Sequence, residues 1–153
     1  FAHLLGRIDK GPEEFYPIFK KNDESLSDQP IKQMSKLTQK LLGGINYQEI
    51  AEIRRMNFEI LHDKLQENNQ LNLDLSSSAV PMIFPYLVNN GESLKKILIK
   101  NKVFVATYWP NVSDWINEGW EFFFIFFLVC IPIDQRYSEP EMLKITEILN
   151  HHA

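Results

Sequence analysis

The sequence predicts a small α/β chain of the α+β kind, in which a long N-terminal helix and a C-terminal helix flank a small sheet. Apolar residues recur at helical spacing from 46 to 67, and short β-branched and aromatic runs follow them. A strand, a short helix and a second strand then succeed one another, which favours a strand-helix-strand crossover. The length of 153 residues suits a single compact domain overall.

Composition and charge exclude several classes of protein. With 44% hydrophobic and 24% charged residues, the chain has the balance of a globular protein and not that of a disordered one. A net charge of -4 argues against a nucleic-acid partner, because such binding depends on clustered Lys and Arg. The single cysteine, Cys130, allows no intrachain disulfide and reads as a small buried hydrophobe, which fits a reducing cytoplasm.

The start of the chain has no secretory signal. It begins at Phe1 without an initiator methionine, a basic segment or a cleavable apolar segment, so we expect a cytoplasmic piece of a longer protein. The apolar run Phe122–Ile133 has about a dozen residues, whereas a membrane-spanning helix needs about 20. We therefore interpret the run as a strand and expect no membrane association.

Residues 1–45 are predicted to be an irregular lead-in that ends in a helix. Glycine and proline interrupt the first part, where we expect only a short helix over Glu13–Lys20. A longer helix is predicted to start at Ser27-Asp28-Gln29-Pro30, because a capping side chain followed by an early proline is typical of a helix N-terminus. Gly43-Gly44 is predicted to end it.

Residues 46–153 are predicted to be the small domain proper. Asn46 and Glu49 form a capping-box pattern that opens a long helix reaching about Glu67. Its polar face mixes both signs of charge, Arg54 and Arg55 included, which is typical of a solvated surface. A polar loop over 68–78 is expected next.

The first predicted strand starts at Ala79, and Pro81 and Pro85 favour an edge position because proline donates no ladder hydrogen bond. A short amphipathic helix is predicted to open at Gly91. The β-branched and aromatic run Val103–Trp109 is predicted to be the strand that completes the crossover.

The last third is predicted to hold a short helix, a strand and a terminal helix. Trp115 and Trp120 bracket the short helix, and the strand runs from Phe122 to Pro132. A turn follows at Asp134-Gln135-Arg136-Tyr137. Ser138 and Glu141 form a second capping-box pattern, which predicts the terminal helix.

No motif of a complete active site is present. The sequence has no phosphate-binding glycine loop, no Cys-x-x-Cys pair and no His-Glu-x-x-His helix. The histidines are scattered along the chain. His151-His152, next to the last residue, is interpreted as a frayed chain end and not as a pair of metal ligands. We assign no catalytic residue, no cofactor-binding residue and no metal ligand.

Two blocks of sequence carry a family resemblance. The first is the helix over 53–61 with the segments 80–88 and 94–109, and the second is 130–137 leading into 138–142. In order and spacing they resemble the C-terminal part of the DegT-type sugar aminotransferases, over about residues 45–150. The resemblance implies the C-terminal small domain of a fold-type I enzyme that uses pyridoxal phosphate.

The resemblance also implies that the chemistry lies outside this chain. In that family an upstream large domain carries the lysine that binds pyridoxal phosphate and transfers the proton. This chain alone is therefore expected to be inactive. The parent protein is expected to be a homodimeric transaminase acting on an amino or keto group, with a keto sugar nucleotide as one candidate substrate.

Five residues are predicted to face the substrate. Arg136 suits this role because its planar guanidinium binds a carboxylate or phosphate through two parallel hydrogen bonds. The alternative is that Arg136 pairs with Asp134 and that the aromatic residues belong to the core or a sheet edge. The predicted residues are Arg136, Tyr137, Tyr108, Trp109 and Asn111.

One segment departs from the family pattern. Where polar residues are expected, the chain has the aromatic run Glu121–Phe127. It is either a buried strand or an apolar surface that the missing domain or a second subunit covers. A surface of the second kind would suit an alternative function, that of a non-catalytic interaction module or a degenerate aminotransferase homologue.

Overall fold

The computed structural model describes residues 2–116 and 118–152, and it shows a mixed α+β protein. The chain divides into two compact units, Phe1–Ile45 and Asn46–Ala153. This boundary is the one at which the sequence changes from the predicted lead-in to the predicted small domain. Each unit is described by itself.

The first unit is helical where the sequence predicts an irregular lead-in. Helix α1 spans Ala2–Lys10 and α2 spans Pro12–Glu24, so the helix expected over Glu13–Lys20 is longer than predicted. The two helices pack together, with the ring of Phe15 against Gly6. In the sequence, Gly11 and Pro17 predict interruptions of a helix. In the structure, Gly11 joins the two helices at φ 90° and Pro17 lies inside α2.

Helix α3 spans Lys36–Gly43, so the start predicted at Ser27 is wrong. Asp28 is in the left-handed region at φ 60°, and the chain from Gln29 to Ser35 has no helical structure. The working N-cap is Ser35, whose Oγ accepts a hydrogen bond from the Thr38 amide at 3.1 Å. The predicted end at Gly43-Gly44 is confirmed.

The second unit begins with the long helix α4, Tyr47–Leu65, followed by a 3-10 turn at Gln66–Asn68. The predicted cap is confirmed, since the Asn46 side chain accepts from the Glu49 amide at 3.2 Å and donates to the Glu49 carboxylate at 3.0 Å. The inner face of α4 buries Phe58, Leu61 and Leu65. This face packs against the sheet and the terminal helix.

The sheet consists of two antiparallel strands, β1 at Ile83–Leu87 and β2 at Leu128–Pro132. The predicted crossover is wrong for the described residues. Val103–Trp109 forms no strand and meets β2 only at the bridge between Ala106 and Cys130. Lys102, directly before this segment, is in the left-handed region at φ 66°.

A loop covers the outer edge of β1, where Pro85 offers no amide. The Asn69 side chain donates to the Pro85 carbonyl at 2.9 Å and accepts from the Leu87 amide at 3.0 Å. The Gln70 amide donates to the Leu87 carbonyl at 3.0 Å. These bonds satisfy groups that a bare strand edge would leave open to another chain. The edge position predicted from the prolines is therefore confirmed.

Helix α5 spans Gly91–Lys100, as predicted, and a 3-10 helix follows at Pro110–Asp114. The short helix expected between Trp115 and Trp120 is not formed in the described residues there, and residue 117 lies outside them. Helix α6 begins only at Trp120 and spans Trp120–Phe127. Among the residues that the structure describes, no helix combines the length and apolarity needed to cross a membrane.

The strand predicted from Phe122 is half wrong, because Phe122–Phe127 is helical and only Leu128–Pro132 is extended. Aromatic rings four residues apart meet along α6. The ring centroids of Phe122 and Phe126 are 4.5 Å apart, and those of Phe123 and Phe127 are 4.7 Å apart. A continuous apolar run has no period, so its sequence does not distinguish a helix from a strand.

The terminal helix α7 spans Glu139–Asn150, and its predicted capping box is confirmed. The Glu141 carboxylate accepts hydrogen bonds from the amide and the hydroxyl of Ser138. The helix buries Met142, Ile145 and Leu149 against α4 and α5. Together with the sheet, these helices form the core. Its main buried members are Phe58, Leu61, Leu65, Phe84, Tyr86, Leu94, Leu98, Val129, Ile131 and Ile133.

The start of α5 makes a steric prediction. A Cβ at Gly91 would clash with the backbone of Phe127, at 2.6 Å from its carbonyl carbon and 2.7 Å from its Cα. We expect Gly91→Ala to lower the free energy of unfolding by about 1–3 kcal/mol, since backbone has to move. Urea unfolding followed by circular dichroism measures it. Gly43→Ala is the control, because nothing lies within 4 Å of the added Cβ, and it should leave the value unchanged or raise it by up to about 1 kcal/mol; an equal loss in both variants would contradict the close approach.

Candidate functional site

The predicted site residues fall in two places in the second unit. Tyr108 and Trp109 line an apolar groove between the 3-10 helix and α6, and Asn111 lies in that 3-10 helix. Arg136 and Tyr137 belong to the turn after β2 and do not line the groove. The structure therefore does not bring the five residues together in one cavity of the described chain.

Arg136 is paired with Asp134. Its Nε lies 2.7 Å from Asp134 Oδ1, its Nη2 lies 2.8 Å from Oδ2, and its amide also donates to Oδ1 at 3.1 Å. The Arg136 side chain is 67% exposed, whereas that of Asp134 is 16% exposed. The pairing that the sequence left open is thus formed, and contact of Arg136 with a substrate stays a prediction.

The pair with Arg136 shifts the pKa of the Asp134 carboxyl group. The side-chain hydrogen bond from Arg136 lowers the pKa of Asp134, and the nearby charge of Arg54 adds to the effect. The carboxylate therefore stays ionised at neutral pH and holds the guanidinium in one orientation. Tyr137 packs at the core margin, where burial raises the pKa of its phenol and keeps the phenol neutral.

The turn at Tyr108–Asn111 has an unusual backbone. Trp109 lies in the left-handed region at φ 51° and ψ 49°, directly before Pro110. Bulky residues rarely adopt this conformation, and such residues cluster at functional sites. The Ser113 hydroxyl donates to the Pro110 carbonyl at 2.6 Å and holds the turn. The indole of Trp109 consequently points outward and is 73% exposed.

The groove beside this turn has a volume of about 400 Å³. One wall is the segment from Thr107 to Val112 and the other is α6, with the start of β2 between them. Its surface is almost entirely apolar. The lining residues are Thr107, Tyr108, Trp109, Val112, Glu121, Phe124, Ile125, Leu128 and Cys130.

A buried lysine lies next to this groove. Lys95 of α5 is 9% exposed, and its Nζ donates to the Ile125 carbonyl at 2.6 Å, in the last turn of α6. An ammonium group there satisfies a carbonyl that the helix end leaves free and interacts favourably with the helix dipole. Burial lowers the pKa of Lys95. Burial likewise raises the pKa of the Cys130 thiol, which makes it a neutral apolar group and not a nucleophile.

Sequence reasoning missed Asn57. This residue is fully buried on the inner face of α4, and its Nδ2 lies 3.3 Å from the Ile133 carbonyl, 3.4 Å from that of Asp134 and 3.1 Å from that of Tyr137. The available signal was its position, four residues after Ile53 and four before Leu61 on the apolar face. A single amide side chain on the apolar face of a helix indicates that buried backbone groups nearby need a hydrogen-bond partner.

The arginines of α4 also differ from the prediction of a solvated face. The Arg54 guanidinium donates to the carbonyls of Pro81 and Met82, each at 3.1 Å. Arg55 Nε donates to the Ala79 carbonyl at 2.9 Å. Both side chains therefore hold the chain that enters β1.

Comparisons with known proteins add no relative. No family model, no curated protein and no solved structure matches this chain. Within residues 2–116 and 118–152, no group of three or more His, Cys, Asp or Glu side chains is arranged to hold a metal ion. The function is therefore argued from the geometry and from the two blocks of sequence.

The buried amide predicts a large effect on stability. Asn57→Ala leaves the carbonyls of Ile133 and Tyr137 without their donor and opens a cavity, so we expect a loss of about 2–4 kcal/mol in the free energy of unfolding. Urea unfolding followed by circular dichroism measures the loss. Asn68→Ala removes an exposed amide just past the same helix and should change the value by less than about 0.5 kcal/mol. Comparable values for the two variants would show that Asn57 does not hold the turn.

The ion pair predicts a pH dependence. A carboxyl with a lowered folded pKa stabilises the fold above its unfolded pKa of about 4, and this contribution disappears as the pH falls through the folded pKa. Because Arg136 is mostly exposed, the pair contributes at most about 1 kcal/mol. We expect Arg136→Ala to lose less stability than the unchanged chain on acidification below about pH 4.

Denaturant unfolding at several pH values tests this, with the Asp134 titration followed by NMR. Lys100→Ala removes the same charge from an exposed site and serves as the control. An Asp134 titration that does not move in Arg136→Ala would contradict the assignment.

Proposed function

We propose that residues 46–153 form the C-terminal small domain of a DegT-type, pyridoxal-phosphate-dependent aminotransferase, which contributes one wall of a substrate cleft and is inactive alone. One observation carries the proposal. The Nδ2 group of Asn57, in the first block of sequence that carries the resemblance, lies within hydrogen-bond distance of the carbonyls of Ile133, Asp134 and Tyr137 in the second block. A buried contact therefore joins the two blocks, although they lie far apart in sequence. This supports the proposal that both blocks belong to one family pattern.

The order of elements supports the same proposal. The long helix α4 leads into a small unit in which helices flank a sheet, and α7 closes it. The resemblance implies this succession for the small domain of fold-type I aminotransferases. The sheet here has two strands, with the third segment touching β2 only at Ala106.

The substrate-facing residues are proposed on geometry and chemistry. The turn Tyr108–Asn111 presents an exposed indole on a strained backbone, and Arg136 presents a guanidinium whose orientation Asp134 fixes. A guanidinium held in place loses less entropy when it binds an anionic group of a substrate. Arg136 and the turn would act as orienting groups, with catalysis supplied by the other domain.

We propose that none of the residues that the structure describes holds the cofactor. The buried lysine in the described part, Lys95, has its amino group on the Ile125 carbonyl and lines no cofactor pocket. We propose that pyridoxal phosphate is held by an upstream large domain of the parent protein, a cytoplasmic homodimer acting on an amino or keto group, with a keto sugar nucleotide as one candidate.

The alternative is a non-catalytic interaction module or a degenerate homologue. The apolar groove and the exposed rings of Trp109, Trp115 and Trp120 favour it, because exposed aromatic surface is typical of docking sites. The two proposals differ in what precedes this chain. An intact lysine-bearing domain supports the enzyme, and its absence supports the module.

The test uses the longer polypeptide encoded by the complete gene. We expect it to bind pyridoxal phosphate with the visible absorbance of the lysine-bound cofactor, and to transfer an amino group. Arg136→Ala should raise KM for the anionic substrate about tenfold, the loss of one charge-assisted contact, whereas the neighbouring Gln135→Ala should not. No cofactor absorbance would favour the module, and unchanged kinetics in Arg136→Ala would remove it from the site.

A further inference from the structure

We propose that the apolar groove beside α6 binds a peptide segment that carries both apolar and basic side chains. This inference goes beyond the proposed aminotransferase function. It holds whether the chain is an aminotransferase domain or an interaction module. It rests on two properties of the same surface, its exposed aromatic lining and its one-sided charge.

The lining is apolar and open to solvent. Trp109 is 73% exposed, and Phe124 is 37% exposed on the facing helix. Trp115 and Trp120, at 72% and 71% exposure, extend the same stretch of chain. Burying such rings against apolar side chains is among the largest favourable contributions to a protein interface.

The charge around the groove has one sign. No Lys or Arg occurs from Val103 to Gln135. Asp114 ends the 3-10 helix, Glu118 precedes α6, and Glu121 lines the groove from the first turn of α6. All three are exposed, and the described residues form no ion pair with them.

The cation packed against α6 does not neutralise these carboxylates. Lys95 is buried, and its ammonium group is directed to the Ile125 carbonyl. It acts inside the fold, at the end of α6. The groove therefore keeps the exposed carboxylate of Glu121 beside its aromatic lining, and Asp114 and Glu118 lie in the adjoining stretch of chain.

This combination selects the partner. A basic side chain placed over the rings gains a cation-π interaction and meets a carboxylate, while apolar side chains fill the groove. A second copy docking through the same surface would oppose like charges across a two-fold axis, which costs affinity. A nucleic acid would meet the same repulsion. A basic apolar peptide avoids both costs.

The experiment uses the intact chain and its own tryptophans. All three tryptophans of the sequence, Trp109, Trp115 and Trp120, lie in this stretch, so their emission reports on this surface. The probes are a synthetic peptide of leucine and lysine, one with glutamate for lysine, and one with serine for leucine. We expect a saturable blue shift of the emission with the first peptide alone, weakened by added salt.

Charge reversal localises the binding. Glu121→Lys should weaken binding of the leucine-lysine peptide about tenfold. Glu118→Lys is a second charge reversal and should weaken binding in the same direction. Because Glu118 precedes α6, this variant leaves the first turn of the helix unchanged. Glu59→Lys changes the net charge equally on the exposed face of α4 and should leave the affinity unchanged.

Three outcomes would overturn the proposal. Equal binding of the basic and acidic peptides would remove the role of charge. Equal weakening by Glu59→Lys and Glu121→Lys would place the binding elsewhere. A tryptophan shift that follows protein concentration, with a doubled mass in sedimentation, would assign the groove to a second copy.

Discussion

The second unit depends on the side-chain amide of Asn57, which satisfies the backbone just beyond β2 from inside the apolar core. Without that donor, the carbonyls of Ile133 and Tyr137 would have no hydrogen bond beside a hydrophobic helix surface, a cost that the burial of the surrounding side chains would have to offset. The neighbouring Arg54 makes the complementary contact with the Met82 carbonyl, just before β1. Since Ile83 pairs with Pro132, α4 holds both strands at the same end of the sheet.

This arrangement fixes the turn after β2 from two sides, although Gln135 and Arg136 in it are exposed. Its carbonyls are fixed from the inside by Asn57, and its outer side is fixed by the pair between Arg136 and Asp134. The capping box at Ser138 then starts α7 without a linker. The position of the turn, the orientation of its arginine and the start of α7 are thus set by hydrogen bonds within one short segment and by one side chain from α4.

Sequence reasoning succeeded where the signal was local. The caps at Asn46 and Ser138 each depend on side chains three residues apart, and both were found. It failed where tertiary contacts decide. The run Phe122–Phe127 suits a strand by composition and is a helix, and Val103–Trp109 suits a strand but lacks a partner along most of its length. The site follows the same division, because the pairing of Arg136 with Asp134 could be anticipated, whereas the groove needs two elements that the sequence did not predict.

The junction of α6 and β2 has a consequence for solubility. The helix ends at Phe127 and the strand starts at Leu128, so no residue separates the two conformations. The hydrogen bond of Lys95 and the contacts between phenylalanine rings four residues apart hold this stretch as a helix. Melting of that one short helix would lengthen β2 into an apolar strand without a charge from Phe122 to Ile131, a composition that favours cross-β pairing. The hydrogen bond from Lys95 to the Ile125 carbonyl opposes this change, because it is made to the helical form.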